Sequence, residues 1–215
     1  MKRRTMLVAS AAACVAILQN APLRAQEAKP AYAYGTAEEI GAESVSIKGR
    51  GNNPTTTELK LTGDTRYGVV TRVEAAAIEV EALAVVAPNA AGEAFEARSL
   101  AFAKETAENP NAEAMVKALA FRVGFMRGPQ GQGADAPKPI IGRIIAVDGT
   151  KITIRAGEKT YAVTIGAQAQ ILKAASAKSW EAIANGNRAM AQYVEATKVA
   201  TVLLKMPEPQ PQRAN

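Results

Sequence analysis

Pro139–Ile171 reads PIIGRIIAVDGTKITIRAGEKTYAVTIGAQAQI, and its period decides the fold class. Apolar β-branched runs flank Asp148-Gly149, a two-residue hairpin signal. Ala156-Gly157-Glu158 marks a second turn, after which Tyr161, Val163 and Ile165 alternate with polar neighbours. Three short strands are predicted here. Asp148, Gly149 and Gly157 are spent on turns, and Ile152, Ile154, Val163 and Ile165 on a core, so the stretch specifies architecture and no chemistry.

The same pattern is visible upstream. Ala33–Ile40 and Ser44–Lys48 read as strands, followed by a glycine-rich loop at 49–54 and by Leu59 and Leu61 in alternation. Ile78, Val80 and Ala82 read as a further strand, and 89–92 as the turn of a hairpin returning over Ala94–Phe102. The period then changes. Val116, Leu119, Ala120 and Val123 share one helical face, which predicts a helix over 111–123 capped by Asn109 and closed by Gly124. Residues 127–138, with little to bury, are expected to be a flexible linker. Past Ile171 a short helix over 178–184, capped by Ser176 or Ser179, precedes a last strand pair at 188–195 and 198–204.

Superposing the halves at an offset of 107 aligns Gly35 with Gly142, Val45 with Ile152, Ile47 with Ile154 and Lys48 with Arg155. An offset of 104 aligns Leu59 with Val163 and Leu61 with Ile165, so the first copy carries three extra residues in its loop. An internal repeat follows. The run from Gly142 to Arg155, then Tyr161–Ile165, Ile183–Arg188 and a closing strand pair, resembles a family of domains of unknown function common in exported bacterial proteins. Tyr34–Phe102 resembles it more faintly. Asn185-Gly186-Asn187 departs from the family's acidic turn, and Gly41-Ala42 stands where Asp-Gly is the family pattern. The resemblance implies small barrels of oligonucleotide-binding (OB-like) shape without an assigned activity.

The predicted fold is therefore mainly β: two tandem OB-like barrel modules, at 32–103 and 139–206, separated by a helical segment at 104–126 and the linker at 127–138. The tail 207–215, polar and proline-rich, is expected to be disordered.

Composition bounds function. Among 215 residues, 48% are apolar and 21% charged, with a formal charge of +6. Lys2, Arg3, Arg4 and Arg24 precede any acid, so the chain beyond position 25 holds 22 basic against 20 acidic residues, a near-neutral balance. Lys2-Arg3-Arg4, the apolar run Met6–Leu18 and the small Ala25 form the three parts of an export signal, cleaved near Ala25. Residues 1–25 are read as that signal peptide, which locates the mature chain in the periplasm or outside the cell. The apolar run is shorter than the roughly 20 residues of a membrane span. Cys14 admits a lipid anchor, but apolar residues continue beyond it. With no histidine in the chain and no cysteine beyond Cys14, Ser-His and Cys-His catalysis and zinc, copper or haem ligation lack their usual donors.

Other candidates have ordinary explanations. Glu38 and Glu39 point to opposite faces of a strand, and Asp148 and Glu158 sit in turns, so neither pair reads as an acid–base couple. Gly49-Arg50-Gly51 offers amides and a guanidinium to an anion, yet reads better as a hairpin connection. Tyr32, Tyr34, Tyr67, Tyr161, Trp180 and Tyr193 would have to supply any base-stacking platform, and aromatics form only 5% of the chain. Trp180 is expected to dock the short helix on the second barrel. Phe121, Phe125 and Met126 form an apolar patch expected to cover the protein's own sheet.

The sequence thus predicts a non-catalytic structural or interaction module of the cell envelope, binding protein or polysaccharide. It nominates no catalytic, cofactor or metal residues. A histidine-free hydrolase or lyase is the alternative, and a single-stranded nucleic-acid binder, disfavoured by charge, the third.

Overall fold

The computed structural model describes residues 30–51, 53–90, 92–125 and 138–208, with side chains at all but 124 and 125. The expected signal peptide with Cys14, the linker at 127–137, Met126 and the tail beyond 208 lie outside the described residues.

Eleven strands form one mixed sheet: β1 (Pro30–Ile40), β2 (Ser44–Lys48), β3 (Thr56–Lys60), β4 (Arg66–Arg72), β5 (Leu83–Pro88), β6 (Ala94–Ala103), β7 (Ile140–Asp148), β8 (Lys151–Ala156), β9 (Lys159–Ala177), β10 (Arg188–Val194) and β11 (Val199–Lys205). One α-helix, α1 (Ala112–Phe125), is present among the described residues. The mainly β prediction holds, and most elements fall where periodicity placed them.

Four departures have local causes. Ile78–Ala82 is not a strand: Glu81 adopts a positive φ of 68°, and a 3-10 turn at Ala75–Ala77 leads into it. Ile78 and Ala82 are buried as alternation implies, but Val80 is 42% exposed, and the ladder begins only at Leu83. β4 is a strand that periodicity does not predict, because Arg66–Arg72 carries no strong apolar alternation. The expected helix at 178–184 is only a 3-10 turn, Trp180–Ala182, without a side-chain cap from Ser179. Asn109 does not cap α1 either. Its amide oxygen accepts from the backbone N and hydroxyl of Ser176 while its amide nitrogen donates to Lys104 O, tying the approach of the helix to β9.

The strand order is β10-β1-β2-β3-β11-β4-β9-β6-β5-β7-β8, and two further pairings, β10–β11 and β8–β9, turn each end back on itself. The pairings therefore trace two five-strand circuits, β1-β2-β3-β11-β10 and β7-β8-β9-β6-β5, joined through β4. This division does not follow the expected tandem modules. β10 and β11, from the end of the chain, pair with β1 and β3, whereas β5 and β6, from the first half, pair with β7 and β9. The cause lies in β4 and the end of β9. They pair antiparallel with each other from Tyr67↔Ala177 to Arg72↔Leu172, carrying each half of the chain across to the other circuit before its hairpin begins.

Register recurs between the circuits with the spacing found in the sequence. Thr36↔Lys48 has its counterpart in Arg143↔Arg155, and Val45↔Leu59 in Ile152↔Val163. The bulge between Ala37 and Glu39 recurs between Ile144 and Ala146. Gly35↔Ala189 recurs as Gly142↔Ala84, and the parallel pair Val199↔Lys60 as Glu96↔Thr164.

Each circuit contributes its own core cluster. Ala37, Ile47, Leu59, Ile183, Ala191 and Leu203 fill the first, with Trp180 and Tyr67 packed on it; Ala84, Leu100, Phe102, Ile144, Ile154 and Val163 fill the second. Trp180 thus docks on the core containing β1–β3, not on one made by 139–206 alone. A third core lies under α1, where Met115, Val116, Leu119 and Val123 meet Val70, Val85, Ala101, Leu172, Met190 and Leu204. Strands β5, β10 and β11 are consequently apolar on both faces, as their near-continuous hydrophobic runs require.

This interleaving is testable. If a protease site inserted within 128–136 is cut under native conditions, the two fragments are expected to elute together on gel filtration and to separate only in denaturant. Fragments that part without denaturant would mean that each half closes on its own hairpin.

Candidate anion-binding site at the end of the helix

Strand β1 alternates strictly over its middle. Ala33, Gly35 and Ala37 are buried inward, so Tyr32 and Tyr34 face outward, toward the last turns of α1. Consecutive helix residues meet them. Phe121 stacks on Tyr32 with centroids 4.2 Å apart and planes 3° from parallel, and the Arg122 guanidinium lies 4.3 Å from the centroid of Tyr34. The expected cover of the sheet by Phe121 is observed; Phe125 and Met126 give no side-chain description.

A second guanidinium reaches the same ring. Arg188 opens β10 opposite Thr36, is only 7% exposed, and holds its charge 5.2 Å from the Tyr34 centroid. It donates a short hydrogen bond from Nη2 to the Tyr34 hydroxyl and a long one, 3.4 Å, from Nη1 to the carbonyl of Pro207. The Nε atoms of both arginines are buried without an acceptor. The Arg122 side chain donates no hydrogen bond to any described residue, so its two terminal nitrogens are uncommitted among them.

Among the described residues no counter-charge stands beside these two guanidiniums. Four cations elsewhere pair with acids, Lys48 with Glu38 at 2.8 Å, Lys117 with Glu113 at 2.5 Å, Arg143 with Glu81 at 3.7 Å, and Lys173 with Glu79, whereas Arg188 is buried. Among the described residues no carboxylate pairs with Arg122 or Arg188. Burial, and then the positive charges of Arg188, Arg72 and Arg50, hold the Arg122 guanidinium below its ordinary pKa, against an opposing contribution from Tyr34. Cations crowded out of water without an anion carry an uncompensated desolvation cost. Cation–π contact with one tyrosine offsets only part of it, about 0.5–2 kcal/mol per contact.

The recurrent register supplies an internal control. The position matching Arg188 is Leu83, paired with Arg143 as Arg188 is with Thr36, and the position matching Tyr34 is Ile141. Leu83 packs against the core under α1. The matching backbone positions elsewhere in this chain carry two aliphatic residues, so the strand pairing itself does not demand Arg188 or Tyr34.

The remaining candidates are not brought together. Glu38 is held by Lys48, and Glu39 is exposed beyond the bulge. Asp148 and Glu158 stand at opposite ends of β8, in turns where Gly149 and Gly157 take positive φ of 58° and 61°. Gly49 closes a hairpin by donating to Thr55 O, as expected of a connection, yet Arg50 adds its field at Arg122. Tyr67 and Tyr193 belong to the first core and Tyr161 to the second, with Phe95 tilted against it 6.3 Å away. Burial pushes the Tyr32 and Tyr67 hydroxyls up in pKa.

A polar groove of about 700 Å³ runs between α1 and β4, β10 and β11, lined by Asp64, Arg66, Glu105, Glu113 and Lys117 among others. Its charges are mixed, and Glu113, lowered in pKa by its bond to Lys117, is already committed. Among the described residues no group of three potential ligands from His, Cys, Asp and Glu is placed to hold a metal ion. No described helix is long and apolar enough to cross a membrane. Sequence reasoning missed Arg122 and Arg188 because each looked like a solvated surface cation. The available signal was an arginine at a position where its repeat partner is leucine.

No protein-family model, curated protein or solved structure matches the chain.

Proposed function

We propose that this chain is an exported, non-catalytic interaction module of the cell envelope that binds an anionic group of an envelope polymer. The observation that carries the reading is the Tyr34–Arg122–Arg188 cluster, two guanidiniums on one ring with no acid among the described residues, Tyr34 and Arg188 standing where the recurrent half uses Ile141 and Leu83. An external anion restores the missing counter-charge.

The scaffold of this proposal is a pair of OB-like five-stranded barrels that have exchanged hairpins. In each circuit three meandering strands are closed by a hairpin whose second strand runs parallel to the third, and the recurring registers support a duplication. On this reading β1–β6 and β7–β11 are the two copies, and each lends its last hairpin to the other. Val70 and Ala174 are equivalent positions and pair with each other, so an approximate two-fold axis passes between them. α1 and the arginine cluster have no counterpart across that axis. The resemblance to exported domains of unknown function agrees with this architecture and with the basic, apolar N-terminal segment.

The test uses residues 26–215, which contain every described element. Retention on a matrix of an acidic polysaccharide is expected, with release as salt rises and no retention on neutral dextran. In cells, the periplasmic form should begin at Gln26. Absence of retention on every anionic matrix, polyuronate, polysulfate and polyphosphate alike, would overturn the binding reading.

A further inference from the structure

Resting on that reading, we infer that the cluster takes a carboxylate, that of a uronic acid unit in an acidic polysaccharide. The donor inventory selects the charge type. Arg188 spends both terminal nitrogens inside the protein, on the Tyr34 hydroxyl and on Pro207 O. The donors not spent on described residues are the two terminal nitrogens of the Arg122 guanidinium and the Tyr34 hydroxyl proton. That hydroxyl accepts from Arg188, which leaves its own proton available to donate. Three donors around a single planar fork match a two-oxygen monoanion, which arginine reads bidentately. Inorganic phosphate presents four oxygens and a higher charge to bury, more than the planar fork and one hydroxyl pair with. Arg188 supplies field without occupying the site.

The carrier is selected by what lies beside the fork. Tyr32 is the next outward-facing residue on β1, about 6.6 Å along the strand from Tyr34. Its ring is held flat by Phe121 and is only partly buried. A rigid aromatic face one pleat from a carboxylate fork suits a sugar ring bearing its acid group, the apolar face of the ring stacking and the acid reaching Arg122. An acidic peptide needs the fork and makes no use of the platform.

Calorimetric titration of residues 26–215 with a galacturonate trisaccharide, its methyl ester, an acetylated Asp-containing tripeptide and inorganic phosphate distinguishes these. The trisaccharide is expected to bind, and the ester and the neutral galactose trisaccharide to bind at least tenfold more weakly. Arg122→Gln should cost at least tenfold, and Arg122→Lys nearly as much, since it keeps the charge and loses the fork. Tyr32→Ala should weaken the trisaccharide several-fold while leaving the tripeptide unchanged. Circular dichroism establishes that each variant is folded, and Arg122→Lys serves if Arg122→Gln is not. Equal or tighter binding of phosphate or of the tripeptide would overturn the inference while leaving anion binding intact, as would full affinity in Arg122→Lys. Loss of all binding on anionic matrices would instead remove the functional reading beneath it.

Discussion

Alanine at Gly35 or at Gly142 is expected to lower stability by about 3 kcal/mol, and by similar amounts at the two sites, the upper range for overpacking a closed interior. A Cβ at Gly35 would stand 1.8 Å from Lys48 O, and one at Gly142 2.5 Å from Arg155 O. Neither carbonyl can retreat cheaply, because each belongs to a strand paired on both sides, β2 with β1 and β3, and β8 with β7 and β9. Moving it would break ladder bonds just before the bulges at Ala37/Glu39 and Ile144/Ala146. The contact is also shared by the repeat, since Gly35 and Lys48 align with Gly142 and Arg155. Gly41 provides the control. Nothing lies within 4 Å of a Cβ there, and alanine should shift stability by less than about 0.5 kcal/mol. Urea midpoints at constant m-value measure all three. A neutral Gly35→Ala beside a costly Gly142→Ala would mean that the two bulged strand pairs are not equivalent.

Those two glycines show how much of the fold was legible. Pairing Gly35 with Gly142 and Lys48 with Arg155 in sequence was enough to align contacts that later proved equivalent in space, because alternation fixes which residues face inward and therefore the register. Period could not reveal partnership. Leu203 and Leu100 read alike as core strand residues, and nothing local distinguishes a hairpin closing its own copy from one closing the other. That choice is made by β4 and the end of β9, whose mutual pairing depends on Val70 and Ala174 meeting, a contact between residues far apart in the chain. The site was less visible than the fold. Arg122 has the spacing of a helix surface, and Arg188 follows Asn185-Gly186-Asn187 where a solvated cation is ordinary. Only the interleaving brings them to one tyrosine.

Replacing Arg188 by leucine, the residue at the matching position 83, is expected to stabilise the protein while weakening its ligand. Burying a guanidinium to 7% exposure without a carboxylate is unfavourable, and exchange of buried charged groups for well-packed apolar ones is neutral or stabilising by about 1–4 kcal/mol. Leu83 shows that leucine fits this place on the strand, packed against the core beneath α1. The Tyr34 hydroxyl loses its donor but lies on a half-buried side chain that water can reach, so little is returned. A gain of about 1–3 kcal/mol in urea denaturation follows. Affinity for a carboxylate ligand should fall at least tenfold, because the site loses a neighbouring positive charge and the bond that orients the Tyr34 proton, a charge-assisted contact of about 1.5–3 kcal/mol. The two readouts move in opposite directions, which a purely structural role for Arg188 does not allow. If Arg188→Leu unfolds the protein or lowers its midpoint while binding is retained, Arg188 is a structural residue and the cluster is not a binding site. On the proposed reading, an arginine at 188, where the recurrent register has Leu83, costs stability that a bound anion would return.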